Sequence, residues 1–559
     1  MKGRFRAGEI GATVLLGLVA GLAYERLRYG VNFTDEAYYA VLAQRFALGD
    51  QPYIDEVNLR QSAALLTAPF YALYLSIRGS TDGVVYFLRH LFFLLQCLVA
   101  LAAFRLVRLA KPDGSKSAAF LAAALPLTYI PFSIPACGYN NLGAFFFALG
   151  SLIGLQRVLS DVSPRVMTFS GCAHGLGIIA YPPMILPVLV FHGAVAWQRG
   201  DGDARARVTS LKASFAGLFM VGIPFLLHAG SGLVTGIPRA FAYERMFTRP
   251  RDLHKVLDVA IGGWRQSWPV LIVIAASTLA GWRSTPGRKH ALIAVMIVST
   301  LWWFWFPRAG HFLFTMPHDL SSNVIIGLAF LSGALLLFQP AESRRTLFAC
   351  ALLPSLLAGA LIAMASDAGW TNSALGLFSA ATILPLLVAC VGGTVRDRFP
   401  AFLALALIPL ALTKMNYWAT FSFDGSTFRQ TRQVAVGPYL GLYTTPSKAA
   451  HTEELTSVMR TLARPGERIL VAYDPGPYLC QAVRPGLETA WTDDRAHLDK
   501  LLPYYHSKRS GEGIVLLMGK HSVSRLLENL VEAPERLLWE SGPVRIYREP
   551  PLTSVSERN

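Results

Sequence analysis

The sequence predicts a polytopic α-helical membrane protein that carries a small α/β domain at its C-terminal end. Three observations predict it. The 559 residues are 53% hydrophobic and only 15% charged, against about a quarter charged in soluble domains. Apolar windows near the roughly 20 residues needed to cross a bilayer fill residues 8–415, whereas 416–559 has an ordinary soluble composition. Lys and Arg gather in the short gaps between windows, as cytoplasmic loops do.

Thirteen spans are expected, at about 9–26, 84–108, 117–134, 139–157, 166–180, 183–198, 212–230, 264–281, 289–306, 321–338, 346–364, 372–392 and 398–415. Lys2, Arg4 and Arg6 precede the first. Basic residues recur at 108–116, 157–165, 199–212, 283–289, 344–345 and 396–398. All fall on one side if thirteen spans alternate. The N-terminus is then cytoplasmic, and the segments 27–83, 135–138, 231–263, 307–320 and 365–371 are outside. The expected organisation is a membrane domain, 1–417, with a long outer loop, 27–83, followed by an extracytoplasmic domain, 418–559. The membrane would be a bacterial inner membrane. The first apolar run has no clear cleavage site and reads as an uncleaved helix.

The net charge of +16 does not point to nucleic acid, because no basic helix with interleaved aromatics accompanies it. The six cysteines are scattered, mostly in apolar runs, and show no metal or redox spacing. In the outer loop, 35–48 has helical spacing and ends at Gly49-Asp50-Gln51-Pro52, and 62–78 reads as an amphipathic helix at the membrane surface, with a true span as the alternative. In the terminal domain, 468–473, 513–518 and 544–547 read as strands, and 452–463, 496–507 and 521–531 as helices. That domain has neither a phosphate loop nor a nucleophile elbow, so its plainer role is recognition or stabilisation.

The chemistry-bearing residues crowd the outer loop. Asp35 and Glu36 follow the first span, and Tyr38, Tyr39, Asp50, Tyr53, Asp55, Glu56, Asn58, Arg60 and Gln61 lie close behind. A carboxylate at such an interface can serve as a general base, because partial burial raises its pKa. Tyrosines offer flat contact surface and hydroxyls for a sugar. Arg60, Arg308 and Lys414 are the cationic candidates for holding a phosphate, and His318 and Asp319 are polar neighbours of Arg308. Snorkelling at a helix end is the plainer reading of Lys414, and solvent-facing loop positions explain Arg308, His318 and Asp319 equally well.

The segment Thr34-Asp35-Glu36-Ala37-Tyr38-Tyr39, then Gly49-Asp50-Gln51-Pro52-Tyr53-Ile54-Asp55, then Ala68-Pro69, resembles the first outer loop of polytopic membrane glycosyltransferases. These are the GT-C enzymes of the protein mannosyltransferase and lipid A aminoarabinose transferase type, which build the cell envelope. The resemblance implies transfer of a sugar from a polyprenyl-phosphate donor to a lipid, glycan or protein acceptor at the outer membrane face, by inversion. It makes Asp35 the catalytic carboxylate, acting as base or positioning the acceptor, and Glu36 its neighbour in that role. Tyr38, Tyr39, Tyr53, Asp55, Arg60, Arg308, His318, Asp319 and Lys414 would then contact substrate. It implies no nucleotide cofactor and leaves divalent metal open. In the stretch Gly171–Pro182, Tyr181 stands where the family often has a lysine, so no phosphate contact carries over there. A transporter or flippase of lipid-linked glycan, or a non-catalytic assembly partner, are the competing readings. The absence of an evident repeat and the scarcity of mid-span charges count against transport.

Overall fold

The structure is a computed structural model. It describes residues 7–111, 116–160, 162–199, 204–247, 253–305, 319–366, 368–418, 420, 424–472, 474–491, 504–505, 507–508, 513–518, 537–541 and 544–549. A helix overlies each of the thirteen apolar windows. Among the described residues, eight helices are long and apolar enough to cross a bilayer, including Gly8–Arg26, Val84–Ala110 and Val395–Trp418. The expected count of thirteen does not follow from helix length. The helix Arg165–Ala180, for example, has 16 residues, about 24 Å at 1.5 Å per residue.

Four elements begin the chain: α1 (Ala7–Arg26), α2 (Asp35–Ala47), α3 (Ser62–Arg78) and α4 (Val84–Ala110). Two more follow, α5 (Lys116–Thr128) and α6 (Tyr139–Leu159). Contacts between their ends sort the bundle into two faces. At one end the Ser117 hydroxyl donates to Gly8 O, and the Lys116 N–H to Glu9. At the other, Arg26 at the end of α1 donates to Asn416 O, and Asn416 donates to Thr128 O at the end of α5. The start of α4 joins the C-terminal domain there, through the Gly83 N–H to Gly437 O. The basic gap at 108–116 and the C-terminal domain therefore stand at opposite ends of the bundle.

α2 begins where Asn32 Oδ1 accepts from the Thr34 and Glu36 N–H groups, capping its first turn. It ends before Gly49, whose φ of +94° suits glycine. Asp55, expected from the sequence to contact substrate, turns instead toward the C-terminal domain, as do its polar neighbours Asp50 and Glu56. Buried Arg45 bonds Asp50 at 2.7 Å and Glu56 at 2.9 Å. Arg468 reaches Asp50 at 2.5 Å. Tyr504 donates to Asp55 at 2.7 Å, and Lys508 lies 3.1 Å from it.

One apolar cluster joins Tyr38, Val41, Leu42 and Tyr71 of the outer loop to Leu455, Ile469, Leu479, Val483 and Ile546 of the C-terminal domain. The loop and the domain thus share one core, although the sequence reads them as parts of separate units. Within the domain, a five-stranded sheet runs in the order Arg484–Pro485, Arg468–Val471, Gly513–Met518, Val544–Glu549, Leu537–Ser541. The first three strands are parallel and the last two pair antiparallel. Three of these strands were expected. The pair at 484–485 is too short for a sequence pattern to reveal. Leu537–Ser541 carries a register shift between Leu537 and Trp539, which breaks its alternation. The expected helix 452–463 is Pro446–Leu462. The expected helix at 521–531 lies outside the described residues, as does most of 496–507.

α3 buries Ala64, Leu65, Ala68 and Tyr71 and exposes Phe70, Leu73 and Ile77, the two-faced pattern its sequence predicts.

Candidate functional site

The first turn of α2 holds Asp35, Glu36, Tyr38 and Tyr39, and helical geometry sends them in different directions. Glu36 points into the protein and meets Arg89 of α4 through two bonds of 2.6 Å. The remaining Arg89 hydrogens go to Leu27 O, Tyr29 O and Gly30 O. Arg26 donates to Tyr29 O as well and to Ser133 O. Two buried arginines thus wrap the chain leaving α1, and Glu36 is the carboxylate that balances Arg89. A catalytic role for Glu36, as the sequence suggested, finds no geometric support: both of its oxygens are taken.

Asp35 is different. Among the described residues, no other side chain is hydrogen-bonded to its carboxylate. Burial pushes its pKa up to about 6, against the pull of the Arg60 charge and of its own backbone N–H. A carboxyl with that pKa is mostly ionised at neutral pH and still a useful base.

Arg60 is the nearby cation. Its guanidinium stands 5.4 Å from the centroid of the Tyr139 ring, and its charge acts on Asp35, Tyr38 and Tyr39. Around these groups the tyrosines form a wall. Tyr39 meets Tyr38 at 5.9 Å and Tyr139 at 5.9 Å, and Tyr139 stacks on Tyr181 at 5.5 Å and 8°. Burial first, and neighbouring negative groups second, hold the Tyr38 and Tyr39 phenols well above their ordinary range. Both stay protonated and can donate. Gly138 makes the close packing feasible, because a Cβ there would fall on the Tyr39 ring. The turn before it has positive φ at Phe132 (54°) and Ser133 (58°). Arg26 on Ser133 O and Asn141 on Ile134 O and Ala136 O hold that turn.

Of the residues expected from sequence, Asp35, Tyr38, Tyr39 and Arg60 come together. Asp55 does not join them, because Tyr504, Lys508 and the Gln51 N–H engage it. Those bonds outweigh burial, the largest single influence, and leave its pKa below the usual range. Tyr53 is buried with φ of 61°. Its carbonyl faces Gly236 and Pro52 O faces Gly232, so the helix Ala204–Phe247 lies against this part of the loop. Lys414 is exposed and lines an apolar groove of about 380 Å³ with Val298, Leu301, Trp302, Leu407, Leu410 and Ala411. Its ammonium lies 6.0 Å from the Trp418 ring. Arg308, His318 and the side chain of Asp319 lie outside the described residues.

One member of the site had a sequence signal of another kind: Tyr181 stands out as a departure from a family pattern. Tyr139 opens the expected span 139–157. Trp491, 5.5 Å from Tyr38, had no signal, since nothing in the sequence ties residue 491 to residue 38. Among the described residues, no group of three or more His, Cys, Asp or Glu side chains could hold a metal ion.

No family model matches the chain, and no curated protein matches it. Two solved structures are similar to it over nearly their whole length. One is the crystal structure of ArnT from Cupriavidus metallidurans in the apo state, with 12% identity, a TM-score of 0.42, and 96% of this chain and 98% of that chain covered. The other is the same protein bound to undecaprenyl phosphate, with 13% identity, a TM-score of 0.41, and 96% and 97% covered.

Proposed function

We propose that this protein is a membrane glycosyltransferase that uses a polyprenyl-phosphate-linked sugar. The observation that carries the reading is Asp35: a carboxylate at the start of α2, raised in pKa by burial, within the field of the Arg60 charge and of the protonated Tyr39. In the reaction, an acceptor hydroxyl attacks the anomeric carbon and the bond from that carbon to the phosphate oxygen breaks. The bonding pair leaves with the phosphate. Asp35 takes the hydroxyl proton, and Arg60 with the phenol of Tyr39 stabilises the departing charge. A single displacement inverts the anomeric centre. The acceptor is a lipid, a glycan or a protein. The site lies at the end of the bundle opposite Lys116, one of the basic gap residues, and on that ground we assign it to the outer face of a bacterial inner membrane.

The test is reconstitution into vesicles of bacterial polar lipids, with polyprenyl-phosphate sugars followed by mass spectrometry. The protein should consume the lipid-linked sugar and release polyprenyl phosphate, and Asp35→Asn should not. Sugar carriers that change leaflet with unchanged mass would point to transport and overturn the proposal.

A further inference from the structure

Residues 487–491 of the C-terminal domain are sewn to the outer loop. Arg45 donates to Leu487 O at 2.9 Å, the Val57 N–H to Glu488 O at 2.7 Å, and the Ala490 N–H to Glu56 at 3.2 Å. The Glu488 carboxylate pairs with Arg239 of the helix Ala204–Phe247. These bonds fix the segment from two sides, and the residue they deliver is Trp491. Its ring lies 5.5 Å from that of Tyr38, tilted by 54°.

Two polar atoms on these two residues are buried and have no hydrogen-bond partner among the described residues: the Tyr38 hydroxyl and Trp491 Nε1. A buried donor left unpaired carries its full desolvation penalty. Here two such donors come from stretches of chain more than 400 positions apart and sit on two rings in contact. Tyr38 is one turn along α2 from Asp35, within the field of Arg60. Flat aromatic faces with donors at their edges suit a pyranose, whose C–H face covers a ring while its hydroxyls take the hydrogen bonds.

We propose that Trp491 and Tyr38 form the subsite for the transferred sugar, with Trp491 Nε1 and the Tyr38 hydroxyl donating to its hydroxyl oxygens. The C-terminal domain is then part of the active site and selects the glycosyl unit. This rests on the glycosyl-transfer reading above.

The experiment uses the full chain in nanodiscs, labelled with 5-fluorotryptophan, with the Trp491 resonance assigned by its loss in Trp491→Phe. Methyl glucoside, methyl mannoside, methyl galactoside and methyl N-acetylglucosaminide are titrated in turn. At least one should shift the Trp491 resonance saturably, and Tyr38→Phe should raise the half-saturation point roughly three- to tenfold. In the vesicle assay, Trp491→Phe and Tyr38→Phe should each raise the donor KM by a similar factor, more than they lower kcat, since both variants keep the aromatic ring. If the wild type turns over donor but no glycoside moves the resonance and neither variant changes KM, the subsite is wrong and the transfer reading stands. If a glycoside moves the resonance and Tyr38→Phe weakens it, but no donor is consumed, the subsite stands and the transfer reading falls.

Discussion

The pH dependence of transfer follows from the surroundings of Asp35. Its pKa rises from 3.8 to about 6, equivalent to at most about 3 kcal/mol against the charged form. The base must be ionised to accept the acceptor's proton, so the acid limb of kcat/KM should fall near pH 6. Going from pH 7 to pH 5, the ionised fraction drops from about nine-tenths to about a tenth, and kcat/KM should drop about tenfold with it. An unshifted aspartate would still be more than about nine-tenths ionised at pH 5. Arg60→Gln removes the charge that lowers this pKa, so its acid limb should move above pH 6 while overall activity falls. Asp35→Asn should cut activity by roughly 100- to 10,000-fold. Stability changes in the opposite sense. A carboxyl whose folded pKa is raised costs stability as pH climbs from 3.8 to about 6. Asp35→Asn should therefore unfold at a higher temperature than wild type at pH 7.5, with the advantage vanishing below pH 4. An acid limb below pH 5, or one that ignores Arg60→Gln, would refute the assignment of Asp35 as the base.

Other outcomes follow from single contacts. Glu36→Gln strips Arg89 of its only carboxylate partner among the described residues, and should destabilise the protein by roughly 3–5 kcal/mol, read as a lowered aggregation temperature in detergent. Arg45→Met leaves Asp50 and Glu56 without their shared cation, so limited proteolysis should release a C-terminal fragment faster than from wild type. Gly138 has an ordinary backbone, φ −79° and ψ 165°, so Gly138→Ala strains nothing locally but presses on the Tyr39 ring. It should lower turnover at least tenfold with little change in thermal stability (a tenfold loss is about 1.4 kcal/mol). Alkaline phosphatase fused after residue 559 should be active in cells, and a fusion after residue 112 inactive, if the C-terminal domain is outside.

The sequence by itself determined the architecture. Hydrophobic runs near the bilayer length mark helices whatever their neighbours are, because each helix satisfies its own backbone hydrogen bonds. It also singled out Asp35 and Arg60, since short polar motifs in a loop between apolar runs stand out without tertiary information. The structure decided how the polar groups divide. Asp35 and Glu36 are adjacent in sequence, yet one is free of side-chain hydrogen bonds among the described residues and the other is locked to Arg89, 53 positions on. Asp55 reads as a ligand contact until Tyr504 and Lys508 are brought to it across hundreds of residues, and Arg468 reaches Asp50 over a similar separation. Long-range pairing of this kind leaves no periodicity in the chain. The same physics hides Trp491: only the shared core of loop and domain carries it to Tyr38. The terminal domain that composition marks as accessory therefore closes one side of the site.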